Sequence, residues 1–273
     1  MRLDELLVER GLARDLHDAQ AYVMAGEVVV GEHRATSAGM SVKPDVALRL
    51  KDDKRRGGFV SRGGLKLQQA LDTFGLEVGG LACADLGASS GGFTDCLLQR
   101  GAARVSAVDV GVGQFDWRLR NDPRVSLFER TNIRNVSAAD IDGPFDLVVA
   151  DLSFISLASV MSDVAAFLKP QGCFVSLIKP QFEASKEDVG EGGVVHDPQA
   201  HARCIEAVFE SARACGFEVC GLTYSPVTGP AGNIEFLFWA KSRPCDSPRE
   251  GSMCFDEIER VVAEAHAKLK GES

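Results

Sequence analysis

The stretch Cys83-Ala84-Asp85-Leu86-Gly87-Ala88-Ser89-Ser90-Gly91-Gly92-Phe93-Thr94 decides how the chain is read. An apolar run carries a carboxylate near its end, a glycine turn follows, and a helical segment begins directly after it. Dinucleotide-binding turns use G-x-G-x-x-G to press backbone amides against a pyrophosphate. Here the glycines fall at 87, 91 and 92, and an acidic residue precedes them. That order suits a zwitterionic aminoacyl group on a sulfonium, which needs close backbone approach and an acidic environment but no phosphate cradle. The residues expected to form this site are Asp85, Gly87, Ala88, Ser89, Gly91, Gly92 and Phe93. Asp109 ends the next apolar run about 20 residues on, where a carboxylate can take ribose hydroxyls. The plainer alternatives are a strand-turn-helix with glycines for packing, and a strand that ends in Asp because Asp favours turns.

Further apolar runs flank this stretch. Strand candidates at 81–86, 104–109, 145–150, 173–178 and 234–239 alternate with helical segments, one of them carrying Leu67, Ala70, Leu71 and Phe74. The pattern predicts an α/β domain built on a doubly wound, mostly parallel sheet, with ligands at the carboxyl ends of its strands. Towards the N-terminus, Leu3, Leu6 and Leu7, then Ala19, Tyr22 and Val23 before Gly26, predict two short helices. Glu27–Val30 and Val46–Leu50 predict two strands. The charged, glycine-ended run 51–58 reads as a linker, giving a small α+β domain over 1–58 and the larger domain over 59–241. Residues 242–273 form a tail in which Phe255, Ile258, Val261, Val262 and Ala265 predict a last amphipathic helix.

Of the 273 residues, 45% are hydrophobic and 25% charged, an ordinary globular composition. No stretch approaches the roughly 18 apolar residues of a membrane span, and the N-terminus lacks a signal-peptide pattern, so a cytoplasmic protein is expected. The eight cysteines form no C-x-x-C pair and show no zinc-ligand spacing, which predicts buried thiols and no metal site. The net charge of -9 argues against simple electrostatic capture of nucleic acid. Residues 1–60 nevertheless balance ten Lys or Arg against ten Asp or Glu, so the acidity belongs to the larger part.

Three charges adjoin apolar runs that would bury them. Asp151 follows Leu147–Ala150, Lys179 follows Phe174–Ile178, and Glu235 sits within Asn233–Phe238. Isolated burial of such groups is costly, so they are expected to pair, with Lys66 completing a Lys-Asp-Lys-Glu group. Methyl transfer to a ribose hydroxyl needs a base for a weakly acidic proton and an in-line approach to the sulfonium carbon. Lys179 is the expected base, with Asp151, Lys66 and Glu235 positioning the hydroxyl and tuning the lysine. Taken singly, each residue is equally readable as a structural ion pair or an exposed strand-end charge. Phe115 and Trp117 fit an adenine or flipped-base contact, although core packing is the commoner role, and His196 with glycines 190, 192 and 193 fits a loop over the site.

Ser61-Arg62-Gly63-Gly64-Leu65-Lys66-Leu67, Asp85–Thr94, Val149-Ala150-Asp151-Leu152-Ser153-Phe154-Ile155-Ser156, Ile178-Lys179-Pro180-Gln181-Phe182-Glu183 and Gly192-Gly193-Val194-Val195-His196-Asp197-Pro198 together resemble the TlyA family, up to about Lys241. The resemblance implies a Rossmann-like, FtsJ-like methyltransferase domain behind an RNA-binding domain of the ribosomal-protein S-four type. It further implies S-adenosylmethionine as cofactor, ribosomal RNA or ribosomal subunits as partner, and cytidine 2'-O-methylation as the reaction. The family's catalytic tetrad falls on Lys66, Asp151, Lys179 and Glu235. A haemolysin label also attaches to the family, but no segment here is apolar or amphipathic enough to support pore formation. The usual Ser-Arg pair at the second N-terminal helix is replaced by Asp15-Leu16, and the usual Asn-Gly by Val30-Gly31-Glu32. Arg2, Arg14 and Arg34 are the candidates to compensate, and Arg62 joins the expected RNA-facing set.

Overall fold

The computed structural model describes residues 1–13, 15–24, 28–31, 33–50, 58–243 and 255–269. The chain divides into two compact units, Met1–Val60 and Ser61–Ser273.

In the first unit, helices α1 (Leu3–Glu9) and α2 (Leu16–Met24) accompany a three-stranded antiparallel sheet of β1 (Val28–Val30), β2 (His33–Arg34) and β3 (Leu48–Leu50), in the order β2-β1-β3. Leu3, Leu7, Ala19 and Val23 repeat at helical spacing and, with Val28 and Ala35, form its core. Asp4 is fully buried in that core, where the Arg2 guanidinium donates to both its oxygens and Gln20 adds a third bond. These bonds outweigh burial and hold the Asp4 carboxyl well below the usual carboxylate range.

The second unit is built on a seven-stranded sheet. Its strands are β4 (Ala82–Leu86), β5 (Arg104–Val108), β6 (Val125–Phe128), β7 (Phe145–Ala150), β8 (Leu168–Ile178), β9 (Phe217–Tyr224) and β10 (Phe236–Ser242), in the order β6-β5-β4-β7-β8-β10-β9. All neighbours pair in parallel except β10, which is antiparallel to both β8 and β9. The chain leaves β4 for β5 and β6 on one side and returns to β7 on the other, so the topological switch lies between β4 and β7.

Alternation along the strands separates two faces. Ala84, Leu86, Val148, Ala150, Phe174, Phe236 and Phe238 form the main core with α6 (Met161–Phe167), α8 (Pro198–Ala214) and α9 (Phe255–Leu269). Against the other face, Phe74 of α3 (Gly63–Phe74) meets Trp239 with ring centroids 5.9 Å apart, and α4 (Gly92–Gln99) follows the glycine turn. The short helices α5 (Trp117–Arg120) and α7 (Pro180–Glu183) lie in connections.

The structure departs from the sequence expectations at three places. The strand expected at 234–239 begins only at Phe236, leaving Glu235 just outside it, because Ser225 N–H takes the Glu235 carbonyl before the regular ladder starts. Strands β6 and β9 join the five expected, and β2 joins those of the first unit. The final helix, set apart as a tail in the sequence, buries Ile258, Val261, Val262 and Ala265 in the main core against α8 and β9. The expected helix stop at Gly26, the linker residues 51–57 and the tail prolines Pro244 and Pro248 lie outside the described residues.

Ile258→Ala should therefore cost about 2–5 kcal/mol of stability, as a buried large-to-small change does, rather than the near-zero effect of a tail substitution. The shift in urea midpoint checks this.

Candidate active site

The parallel strands deliver their last residues to one edge. Asp85 is the fourth residue of β4, while Asp109, Asp151 and Lys179 directly follow β5, β7 and β8. Glu235 reaches the same edge by the opposite route: β10 runs antiparallel with Phe236 opposite Ile178, so the residue before β10 meets the residue after β8. Lys66 comes from the first turn of α3.

The four expected catalytic residues are assembled as two linked ion pairs. Lys66 Nζ lies 2.5 Å from Glu235 Oε2 and 4.0 Å from Asp151 Oδ2, and Lys179 Nζ lies 2.5 Å from Asp151 Oδ1. Lys66, Lys179 and Glu235 are 7%, 8% and 1% exposed, whereas the Asp151 side chain keeps 22% of its surface open. Gly229 accommodates the buried carboxylate, since a Cβ there would stand 2.7 Å from Glu235 Oε1. Lys179 also donates to Ser153 Oγ at 2.8 Å.

The glycine turn adjoins this group. Gly87 has φ +81°, and a Cβ would come within 2.8 Å of the Asp151 carbonyl, so β4 and β7 can approach this closely only with glycine there. Ala88 is buried, Ser89 has φ +47°, and Gly91 lies against Phe115 and Leu119. Gly92 opens α4 where that helix meets Ser61, Gly63 and Gly64, and Phe93 is buried behind it. Asp85 is fully buried and accepts from Thr94 N and Thr94 Oγ1, both on Oδ2, while Oδ1 has no hydrogen-bond partner. Burial pushes its carboxyl up to about 7 despite the two Thr94 bonds. Asp109 accepts from Ser89 N and Gly111 N, at 2.7 and 2.6 Å, so it fixes the turn as well as offering its remaining lone pairs. A buried carboxyl group with one unpartnered oxygen beside a tight glycine turn fits the charged aminoacyl end of S-adenosylmethionine.

Other expected residues fall elsewhere. Phe115 is buried under Gly91 as core, and Trp117 is half-buried at the start of α5. Arg2 is committed to Asp4 in the first unit, Arg34 lies exposed on β2, and Arg14 is outside the described residues. Arg62 immediately precedes α3 and donates to the Thr228 carbonyl. His196 is exposed at the end of a loop whose Gly192 and Gly193 both have positive φ. The three cysteines Cys83, Cys96 and Cys204 are buried free thiols, pushed by burial up to about 12, 12 and 11.

Sequence reasoning missed Phe154. It is 91% exposed, adopts φ +63° three residues after Asp151, and its ring lies 5.3 Å from that of Phe182, over which Lys179 Nζ sits at 6.0 Å. A large apolar side chain held open at a strained backbone position is the mark of a contact surface rather than of core. The sequence placed Phe154 only within a family signature, because exposure is not visible in periodicity.

Residues 59–242 match the model of the FtsJ-like methyltransferase family. The chain is 45% identical over 263 residues to the 16S/23S rRNA (cytidine-2'-O)-methyltransferase TlyA of Mycobacterium tuberculosis, covering 96% of this chain and 97% of that one. It is 37% identical to Hemolysin A of Brachyspira hyodysenteriae, over 87% of this chain and 98% of that one. A solved structure from Streptococcus thermophilus, also named as a hemolysin, is 41% identical and superposes with a TM-score of 0.77 over 100% of this chain and 98% of that one. The glycine turn, the paired lysines and acids and these matches agree, and the chain belongs to the TlyA family of FtsJ-like methyltransferases.

Proposed function

We propose that this protein transfers a methyl group from S-adenosylmethionine to the 2'-hydroxyl of a cytidine in ribosomal RNA, with Lys179 as the base. The observation that carries the reading is the double ion pair Lys66–Glu235 and Lys179–Asp151 at the strand ends, beside the Gly87 turn. The acceptor, cytidine ribose of ribosomal RNA, is that of the Mycobacterium tuberculosis relative.

When bound, S-adenosylmethionine supplies an electrophilic methyl carbon on a sulfonium. Asp85, Gly87, Ala88, Ser89, Gly91, Gly92 and Phe93 would hold it, with Asp109 on the ribose. Lys179, ion-paired as an ammonium in the free protein, would first release one proton to solvent; its neutral Nζ would then take the proton of the 2'-hydroxyl as that oxygen receives the methyl group, leaving the cofactor as the neutral thioether. Asp151, in contact with Lys179, stabilises the ammonium that results, in surroundings dry enough to strengthen that attraction. Lys66, clamped by Glu235, holds the other face of Asp151 and points its second oxygen. Ser153 fixes the Lys179 ammonium group sideways. Phe154 and Phe182 offer the nucleobase a stacking surface beside the reacting ribose. The first unit, with Arg14, Arg34 and the partly committed Arg2, would dock RNA, and Arg62 would add a contact in the second.

Lys179→Ala should lower labelled-methyl incorporation into unmodified ribosomal subunits by about a hundredfold to ten-thousandfold, the usual worth of a general base, with cofactor binding retained. Nucleoside digestion and mass spectrometry should find 2'-O-methylcytidine with wild type. Unchanged turnover in the variant would remove Lys179 from the mechanism.

Phe154→Ala should raise the KM for RNA about tenfold or more, as loss of one base-stacking contact does, without altering cofactor affinity. Steady-state kinetics with RNA as the varied substrate reads this directly.

Asp85 links proton binding to folding. Its folded carboxyl, at about 7, stands above the 3.8 of an unperturbed group, so between these values the folded state holds a proton that the unfolded state has lost. Stability of the cofactor-free protein should therefore fall as pH rises from about 4 to about 7 and stay lowered above that. Asp85→Asn should flatten this slope, unfold later than wild type at pH 8, and bind S-adenosylmethionine more weakly. Denaturation midpoints across pH, with cofactor titrations, test both halves.

A further inference from the structure

A cavity of about 540 Å³ opens beside the loop that precedes Glu235. Arg62, His196, Thr228, Ile234 and His266 contribute to its walls, all within the second unit. Its size falls in the range of about 300–1,000 Å³ usual for small-ligand pockets.

The walls are fastened rather than incidental. Asn233, almost fully buried, accepts from Val195 N and donates to the Gly193 carbonyl, both at 3.0 Å, locking the His196 loop to the strand entry. His201 is wholly buried, with Nε2 3.0 Å from the Val195 carbonyl and Nδ1 2.9 Å from His266 Nε2, which fixes the His266 ring in the cavity lining. Arg62 donates to the Thr228 carbonyl at 3.2 Å and, among the described residues, forms no ion pair with a carboxylate. His196 likewise makes no hydrogen bond there. The lining therefore joins hydrogen-bond donors to an apolar part that includes Ile234 and Val227. That combination suits a ligand with an anionic or acceptor-rich part joined to a flat ring.

Position narrows the choice. Arg62, the residue that caps α3, lies four residues before Lys66, about 6 Å of helical rise, and Ile234 adjoins Glu235. The cavity therefore shares the start of α3 and the entry to β10 with the tetrad. We infer that this cavity is a subsite for the nucleotide next to the methylated one, Arg62 and His196 taking its phosphate and the apolar wall its base. The inference rests on RNA being the substrate, as proposed above.

The test titrates the full-length protein with each of the four ribonucleoside 5'-monophosphates, and with inorganic phosphate alone, while following the five histidine rings by NMR. At least one nucleotide should shift His196 and His266 saturably and leave His17 and His33 in place. Arg62→Ala should weaken that binding about tenfold or more, the worth of one charge-assisted bond, and Thr228→Trp should fill the cavity and remove it. Lys179→Ala should leave it unchanged. Absence of any saturable shift, equal affinity in Arg62→Ala, or an equal response to phosphate alone would overturn the subsite. With RNA, Thr228→Trp should raise KM about tenfold at similar kcat, again the worth of one such contact, and an unchanged KM would count against it. The titration needs no turnover, so an inactive wild type would sink the methyl-transfer reading while the histidine shifts still decided the cavity.

Discussion

The Lys66–Glu235 pair joins residues 169 positions apart, and both side chains are almost completely withdrawn from water. Removing either partner would strand a buried charge, a loss of about 3–5 kcal/mol in comparable sites. The pair is therefore a constraint on the fold as much as a piece of chemistry. It holds the first turn of α3 against the entry to β10, and through Asp151 it is tied to Lys179. Four elements that are remote in sequence thus meet at one point because four charges cannot be buried singly.

The sheet order makes this meeting possible. Five parallel strands bring carboxyl ends to one edge, the ordinary place for ligands in such folds. The antiparallel β10 adds an amino end to that edge, and its register with β8 sets Glu235 beside the end of Lys179's strand. Reversing one strand near the sheet's rim thereby supplies an acid that an all-parallel arrangement would have placed on the far side. The glycine at 87 completes the geometry, letting β4 and β7 approach closely enough for the cofactor turn and the tetrad to share a boundary.

Much of this was legible in the residues. Charges abutting β-branched and aromatic runs announced pairing, and the spacing of Gly87, Gly91 and Gly92 after Asp85 announced the kind of turn. What the sequence left hidden were features set by neighbours. Strand β6 is a half-buried edge of four residues, too short and too weakly apolar to stand out, and β9 alternates around Glu218 and Cys220 without a clean pattern. Glu235 reads as part of a strand until the loop's own hydrogen bonds are seen. Phe154 reads as an ordinary apolar residue until its exposure is known. Arg2 reads as available for RNA, yet a buried Asp4 claims it, because a carboxylate inside a small core must be neutralised by whatever cation is near.

Helix α9 has a bearing on how the molecule comes into being. Its residues 258 to 265 fill the same core as strands laid down far earlier in the chain, and they pack on α8 and β9. During synthesis the sheet edge can form while that surface is still bare, and it closes only once α9 has emerged and packed. A half-made chain that still lacks α9 would thus present an open hydrophobic seam rather than a closed core.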